Sequence, residues 1–381
     1  MTMRLLIVLL FFCGICQPAE AAGKVRIGLT LGLTGQYTEM ADMQIKAFRL
    51  WEKQVNSGGG ILGKPVELVI LDDRSDPATA RKLYEKLIKS ERVDLLFAPY
   101  HSDLVEAIMP LLEANKYPLL SSGAASDRLW KKNYRYLFGV YAVASRYPVG
   151  FLEMLSRSGL QNVAIIFSED AFGQSLGLGA KKWAERFGLK VVRLAGLKHN
   201  SRDYTSPVEA ARKAGAQAIV VCGLFNDAVN VRQALKKSGW YPKAYYASVG
   251  PALPAYHEHL ATDAEHTFST SQWEPHSRFP GATRFYKSFQ ETYGQAPSYQ
   301  AASAYAAGEL LQKSAGKARS LDRQKIRDVL STMNTVTIMG RYSVDRSGRQ
   351  IGHEPLIIQW QHGKKEIVWP LELSTAKALF D

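Results

Sequence analysis

The sequence predicts an α/β protein: a doubly wound parallel sheet with helices on both faces, occurring twice along the chain. Short apolar runs alternate strictly with amphipathic stretches from Lys24 to Leu120, and the same alternation restarts near Ser145. The 381 residues are too many for one ordinary domain and suit two, and 46% hydrophobic content can fill both cores.

Lys24 to Leu31 is the first strand, with Val25, Ile27, Leu29 and Leu31 alternating. The loop Thr34-Gly35-Gln36-Tyr37-Thr38 leads to a helix from about Met40 to Asn56, which Gly58-Gly59-Gly60 ends. Val66 to Leu71 is the next strand. Asp76-Pro77 opens a helix, with Asp as cap and Pro in the first turn. Val93 to Phe97 is a strand, Asp103 to Asn115 a helix and Pro118 to Leu120 a strand. In the second unit, strands at Val163 to Phe167, Leu189 to Leu194, Gln217 to Cys222 and Tyr245-Tyr246 alternate with helices at Phe172 to Phe187, Asp203 to Ala214 and Asp227 to Ser238. After His266 three helical patterns follow, Gly281 to Tyr293, Ser298 to Ala315 and Leu321 to Leu330. Short strands near Arg341 to Val344, Leu356 to Trp360 and Ile367 to Trp369 close the chain.

Two loops stand out. Ala98-Pro99-Tyr100-His101-Ser102-Asp103 and Ser121-Ser122-Gly123-Ala124-Ala125-Ser126 each follow a strand, and each precedes a stretch with helical pattern. Free backbone N–H groups and the positive end of a helix dipole suit an anion there. At the carboxyl ends of parallel strands the two loops converge on one crevice. Ser102, Ser122 and Ser126 offer hydroxyl donors for a carboxylate; Ser and Asp are also ordinary helix caps, which is the plainer reading.

The N-terminus reads as an export signal. Leu5 to Ile15 is an apolar run behind Arg4, and Ala19-Glu20-Ala21 offers a small-x-small cleavage site, so residues 1–22 are expected to be removed. The mature chain is then periplasmic. Cys16 invites a lipid anchor, but Cys13-Gly14-Ile15 fits an attachment box poorly. Cys222 is the one cysteine of the mature chain and lies in a buried strand pattern, which suits a packed thiol. The net charge of +13 is scattered over helix faces, as in Lys181-Lys182 and Lys236-Lys237. With no basic stripe interleaved with aromatics, nucleic acid is excluded as a partner.

Several motifs mislead. Gly58-Gly59-Gly60-Ile61-Leu62-Gly63 matches G-x-G-x-x-G, but a helix precedes it and a strand follows, the reverse of a dinucleotide site. Gly173-Gln174-Ser175-Leu176-Gly177 matches G-x-S-x-G, with Asp203 and His257 downstream in hydrolase-like order. A nucleophile elbow needs its serine where the strand ends. Here Ser168 to Phe172 intervene, so a serine hydrolase using Ser175 stands as the enzyme alternative. His257 and His259 do not share a helix face. No metal and no cofactor is expected.

The chain resembles the type I periplasmic solute-binding proteins of the leucine/isoleucine/valine-binding class, which serve ABC importers. The resemblance rests on an ordered set: Leu33-Thr34-Gly35-Gln36-Tyr37, Asn56 to Gly63, Asp72-Asp73-Arg74-Ser75-Asp76-Pro77, the two loops, Ala171-Phe172-Gly173-Gln174, Asp203-Tyr204-Thr205 and Tyr293-Gly294-Gln295-Ala296-Pro297. It implies two doubly wound lobes joined by a three-stranded hinge, closing on a ligand. Lobe one would comprise 24–140 plus 272–340, and lobe two 141–271 plus 341–381.

By the same resemblance Ser102, Ala124 and Ser126 hold the ligand's carboxylate, while Phe172 and Phe225 approach from lobe two. The second loop is about one residue longer than is common in the family. Tyr37, Tyr100, Phe172, Phe225 and Trp273 are candidates to line an apolar, aromatic-accepting pocket, or else to fill cores. Amino-acid binders of the family place an acid after the strand that here ends in Tyr245-Tyr246; this chain has Ala247-Ser248-Val249-Gly250-Pro251. An α-ammonium buried there would lack its partner at a cost of several kcal/mol. Glu169, Asp170 and Asp227 are the nearby acids that could replace it. The expected function is therefore non-enzymatic: a monomeric periplasmic receptor handing a small carboxylate to the membrane permease of an ABC importer. A branched-chain or other amino-acid binder and a ligand sensor docking on a membrane receptor are the alternatives that keep the fold.

Overall fold

The computed structural model describes residues 23–198, 201–275 and 277–380. The expected export signal over 1–22, with Cys16, lies outside the described residues. In the first half, β1 (Val25–Leu31) pairs in parallel with β2 (Val66–Asp72), in register from Val25 opposite Val66 to Leu31 opposite Asp72. α1 (Thr38–Ser57) connects them. α2 (Pro77–Lys89) starts where the sequence indicates: the Asp76 carboxylate accepts the Thr79 N–H at 2.6 Å, and Pro77 opens the first turn. β3 (Leu95–Phe97), α3 (Ser102–Ala114), β4 (Leu119–Ser121) and β5 (Leu137–Gly139) complete a five-stranded parallel sheet of order β2-β1-β3-β4-β5.

α4 (Val149–Arg157), β6 (Asn162–Ser168), α5 (Ala171–Arg186), β7 (Lys190–Leu197), α6 (Thr205–Lys213), β8 (Ala218–Cys222), α7 (Phe225–Ser238), β9 (Ala244–Ala247), α8 (Pro254–Leu260) and β10 (Thr267–Ser271) build the second half. α9 (Ala282–Tyr293), α10 (Tyr299–Ala318) and α11 (Arg323–Thr332) follow, then a hairpin of β11 (Thr335–Thr337) and β12 (Gly340–Tyr342). β13 (Leu356–Gln361) and β14 (Lys364–Trp369) join the second sheet, of order β14-β13-β10-β9-β8-β6-β7. That sheet is mixed rather than parallel throughout, because β13 runs antiparallel to β10 and β14 antiparallel to β13.

The molecule has two lobes, one around each large sheet. Among the described residues the chain passes between them after β5, after β10 and after β12, since α9 and α10 return to pack on α1 of the first lobe. No helix among the described residues is long and apolar enough to cross a membrane. Cys222 is buried and free, and burial pushes its thiol well above the usual range, as suits packing.

β10 is one of the strands the apolar pattern misses. Thr267-Phe268-Ser269-Thr270-Ser271 is wholly buried although four of its residues carry hydroxyls. Thr270 donates to the Tyr147 carbonyl oxygen at 2.6 Å and pairs with the Tyr246 phenol at 2.7 Å, so burial leaves its hydroxyl satisfied.

Candidate ligand-binding site

The two loops leave the carboxyl ends of neighbouring strands, β3 and β4, and bond to each other. The His101 N–H donates to the Gly123 carbonyl oxygen at 3.0 Å. Gly123 has to be glycine here: a Cβ would fall 2.7 Å from the Tyr100 ring and 2.9 Å from its Cα. Ser102, the first residue of α3, is buried; its Oγ accepts the N–H groups of Ser126 at 3.0 Å and Ala125 at 3.3 Å. Among the described residues no acceptor takes the Ser102 hydroxyl proton. A neutral donor thus sits at a helix N-terminus, braced by two backbone amides.

The N-terminus of α5, in the other lobe, meets this pair of loops. The Ser126 hydroxyl donates to the Ala171 carbonyl oxygen at 2.8 Å and lies 2.7 Å from the Ser175 Oγ. The Ala171 N–H donates to Asp103 Oδ1 at 3.3 Å. Tyr37 stacks on His101 with ring centroids 4.6 Å apart at 20°, and the Phe172 ring stands edge-on to His101 at 6.3 Å. Tyr37 lies 6.0 Å from Tyr100, and Phe172 5.7 Å from Tyr147. Ser102, Ser126, Tyr37, Tyr100 and Phe172 are therefore gathered at one seam between the lobes. Ala124 lies in the same loop, buried, its carbonyl oxygen accepting from the Ser121 hydroxyl at 3.0 Å.

The seam is acidic as well as aromatic. Asp170 caps α5, its Oδ1 accepting from the Gly173 N–H at 2.8 Å and lying 3.6 Å from His101 Nε2. Burial works to raise its pKa, but the His101 ring and the Gly173 N–H outweigh it and hold the carboxyl well below the usual carboxylate range. Asp103 goes the other way: burial dominates over the pull of His101, and its pKa is raised. Beside them opens a cleft of about 470 Å³, with Gln36 and Tyr37 on one wall and Glu169, Asp170, Tyr204, Leu224 and Asp227 on the other. Lys198 and Arg202 add cations to it. Asp227 accepts from the Leu224 N–H at 3.0 Å and the Tyr204 phenol at 3.2 Å, while burial raises its pKa.

Three expected pocket residues face elsewhere. Ser122 turns into lobe one: its carbonyl oxygen accepts from the Gln44 side-chain amide and the Ser303 hydroxyl, each at 2.8 Å, and its Oγ lies 3.3 Å from Gln44 Nε2. The Phe225 ring packs edge-on to His259 at 5.2 Å, and its neighbour Leu224 lines the cleft instead. Trp273 donates from its indole N–H to the Ile338 carbonyl oxygen at 3.0 Å and packs on Phe285. His101 is the residue that sequence reasoning missed; a histidine between an aromatic residue and Ser102 carried no motif, and its partner Asp170 belongs to the other lobe.

After β9, in the stretch Ala247 to Pro251, Ser248 is buried and used locally, donating to the Gly223 carbonyl oxygen at 2.7 Å and accepting the Gly223 N–H at 3.2 Å. The hydrolase constellation does not assemble. The Asp203 carboxylate caps α6 through the Ser206 N–H at 2.9 Å, and His257 stacks on Trp360 at 4.9 Å, while Ser175 pairs with Ser126.

A family model described as periplasmic binding protein matches residues 24–365. A curated relative, Leu/Ile/Val-binding protein homolog 7 of Brucella suis, is 22% identical over 372 residues, covering 92% of this chain and 93% of its own. The branched-chain amino acid transporter substrate binding protein LivJ from Streptococcus pneumoniae, solved in complex with isoleucine, superposes with a TM-score of 0.81 at 20% identity, covering 91% of this chain and all of that one. An ABC transporter solute binding protein from R. palustris, solved in complex with benzoate, gives a TM-score of 0.80 at 18% identity, covering 94% of this chain and 98% of its own. These likenesses establish the two-lobed fold.

Proposed function

The chain belongs to the periplasmic binding protein family, in its leucine/isoleucine/valine-binding class, and from that premise we propose that it is the exported receptor of an ABC importer for a small carboxylate without an α-ammonium group. The ligand binds between the lobes without turnover, and a membrane permease is the partner. One observation carries the reading. The buried Ser102 hydroxyl gathers two amide N–H groups and keeps its own proton for an anion, and the stretch after β9, Ala247 to Pro251, holds no carboxylate to pair an ammonium. Ser126 and Ala124 complete the carboxylate seat, and Tyr37, Tyr100 and Phe172 offer ring surface to an apolar body. That the family includes a benzoate complex agrees with this chemistry.

A second reading has its own observation. Glu169, Asp170 and Asp227 all line the cleft, and any of them could serve an ammonium. The two are separated by thermal shift on mature protein that has been unfolded and refolded to strip carried-over ligand. The panel holds benzoate, hydroxybenzoates, short aliphatic acids, leucine, isoleucine, valine and phenylalanine. A ligand at a hundred times its Kd stabilises by about 2.7 kcal/mol. Stabilisation by carboxylates alone is expected, and the Ser102→Ala variant should bind the same acid about ten- to a hundredfold more weakly, the loss of roughly 1.5–3 kcal/mol from a hydrogen bond to a charged oxygen. Stabilisation by the amino acids and not by the acids would overturn the proposal.

A further inference from the structure

His101 is held in an unusual way for a residue outside any assigned role. Its backbone has φ 87°, it is 2% exposed, and its Nε2 makes no hydrogen bond. Tyr37 covers one face of the ring and Phe172 stands at its side. Its Nδ1 takes the Asp103 N–H at 3.4 Å and lies 3.8 Å from Asp103 Oδ2. The bare Nε2 looks across the seam to Asp170 Oδ1 at 3.6 Å, too long for a hydrogen bond. One donor atom from each of His101, Asp103 and Asp170 lies within 4.8 Å of the other two.

We propose that His101, Asp103 and Asp170 form a binding site for a divalent transition-metal ion that bridges the two lobes. The donor set fits such an ion: a neutral imidazole with two carboxylates suits Zn²⁺ or Mn²⁺, and the two negative charges offset the ion's own. The carboxylates also serve the Gly173 and Ala171 N–H groups, yet each ionised oxygen keeps lone pairs for a metal. With the ion on Nε2 the ring proton moves to Nδ1, which gives up the long bond from the Asp103 N–H and turns its own N–H toward Asp103 Oδ2. His101 and Asp103 come from lobe one and Asp170 from lobe two, so the ion binds the closed arrangement best and draws the lobes together. Any ligand that also needs closure gains affinity by the same factor as the metal does.

The test uses untagged mature protein, treated with chelator, exchanged into metal-free buffer and titrated with ZnCl₂ or MnCl₂ by calorimetry, with no organic acid present. One equivalent of at least one ion should bind and raise the Tm. Asp170 and His101 each occupy a helix N-cap, a position that asparagine fills well, so Asp170→Asn and His101→Asn should both fold. Each should weaken uptake at least about tenfold. His259→Ala, which removes an exposed histidine outside the cluster, should leave uptake unchanged. No uptake of either ion, or uptake equal in wild type, His101→Asn and Asp170→Asn, overturns the proposal. Because no carboxylate ligand is used, that failure leaves the receptor reading untouched.

Discussion

Asp73, just beyond β2, is fully buried, its carboxylate accepting from the Thr30 hydroxyl at 2.6 Å and the Ser75 N–H at 2.9 Å. Ser75 in turn holds the Tyr37 N–H at 3.1 Å, so a carboxylate that never touches the seam sets the position of a residue that lines it. Burial pushes the Asp73 carboxyl up from 3.8 to about 6, against the pull of its two hydrogen bonds and with help from the charges of Asp72 and Asp76. Its pKa is higher folded than unfolded. Its contribution to stability is therefore greatest below pH 3.8 and is lost as pH rises through about 6. Asn at this position accepts from Ser75, donates to Thr30 and does not titrate. The Asp73→Asn variant should accordingly gain stability relative to wild type between pH 4 and pH 8, by up to about 2–3 kcal/mol from a two-unit shift. Denaturant midpoints of both proteins across that range measure it; a difference that does not change with pH would refute the raised pKa. At this scale the sequence marks the two loops that carry Ser102 and Ser126, because a strand, a polar loop and a helix start are local signals, and the fold brings those loops together. It does not show that Ser122 bonds Gln44, that Phe225 packs on His259 or that His101 faces Asp170, because where a loop side chain points is settled by partners distant in sequence.

Helices α1 and α10 show why most elements could be read and how closely they meet. Their apolar spacing is regular, and α10 is buried along most of its length, consistent with a helix rich in small residues. Gly308 is the contact point. A Cβ there would sit 2.4–2.6 Å from atoms of the Trp51 ring, closer than any real packing allows. Gly308→Ala would gain about 1 kcal/mol of helix propensity in an open helix. Here the clash with a rigid ring wins, and overpacking of roughly 1–3 kcal/mol or more should lower the Tm. A Tm equal to or above wild type would mean that the two helices separate without cost. The strands were legible where burial coincides with an apolar run, as in β1, β6 and β8. β5 escaped because no α-helix separates it from β4, so the strand–helix alternation breaks there, and β10 was too polar, its hydroxyls being satisfied by a tyrosine and a backbone carbonyl from other elements. The antiparallel turn of the second sheet comes from chain that returns after an excursion to the first lobe, and no local pattern encodes such a return.

For the whole molecule, function depends on how two lobes come together, and among the described residues polar contacts join them at the seam. Ser126 bonds Ala171 and meets Ser175, and Asp103 holds the Ala171 N–H. Ser126 has one proton; if it goes to the Ala171 carbonyl oxygen, Ser175 must donate to Ser126. Ser175→Ala removes that interlobe bond while leaving every residue of the carboxylate seat in place, and alanine is at least as good as serine inside α5. A net hydrogen bond of about 0.5–1.5 kcal/mol shifts the closing equilibrium roughly two- to twelvefold toward open. Apparent affinity scales with the fraction of closing-competent protein, so the Kd for the stabilising acid should rise by up to that factor. The radius of gyration from X-ray scattering should rise with it, and the Tm should move little. The same variant discriminates against the enzyme alternative, for a hydrolase relying on Ser175 would lose turnover completely while keeping its substrate affinity. Unchanged affinity together with an unchanged radius would show that the Ser126–Ser175 pair adds nothing to closure. The lobes would then be held by the contacts that remain, Ser126 and Asp103 on Ala171 and Asp127 on Ser145.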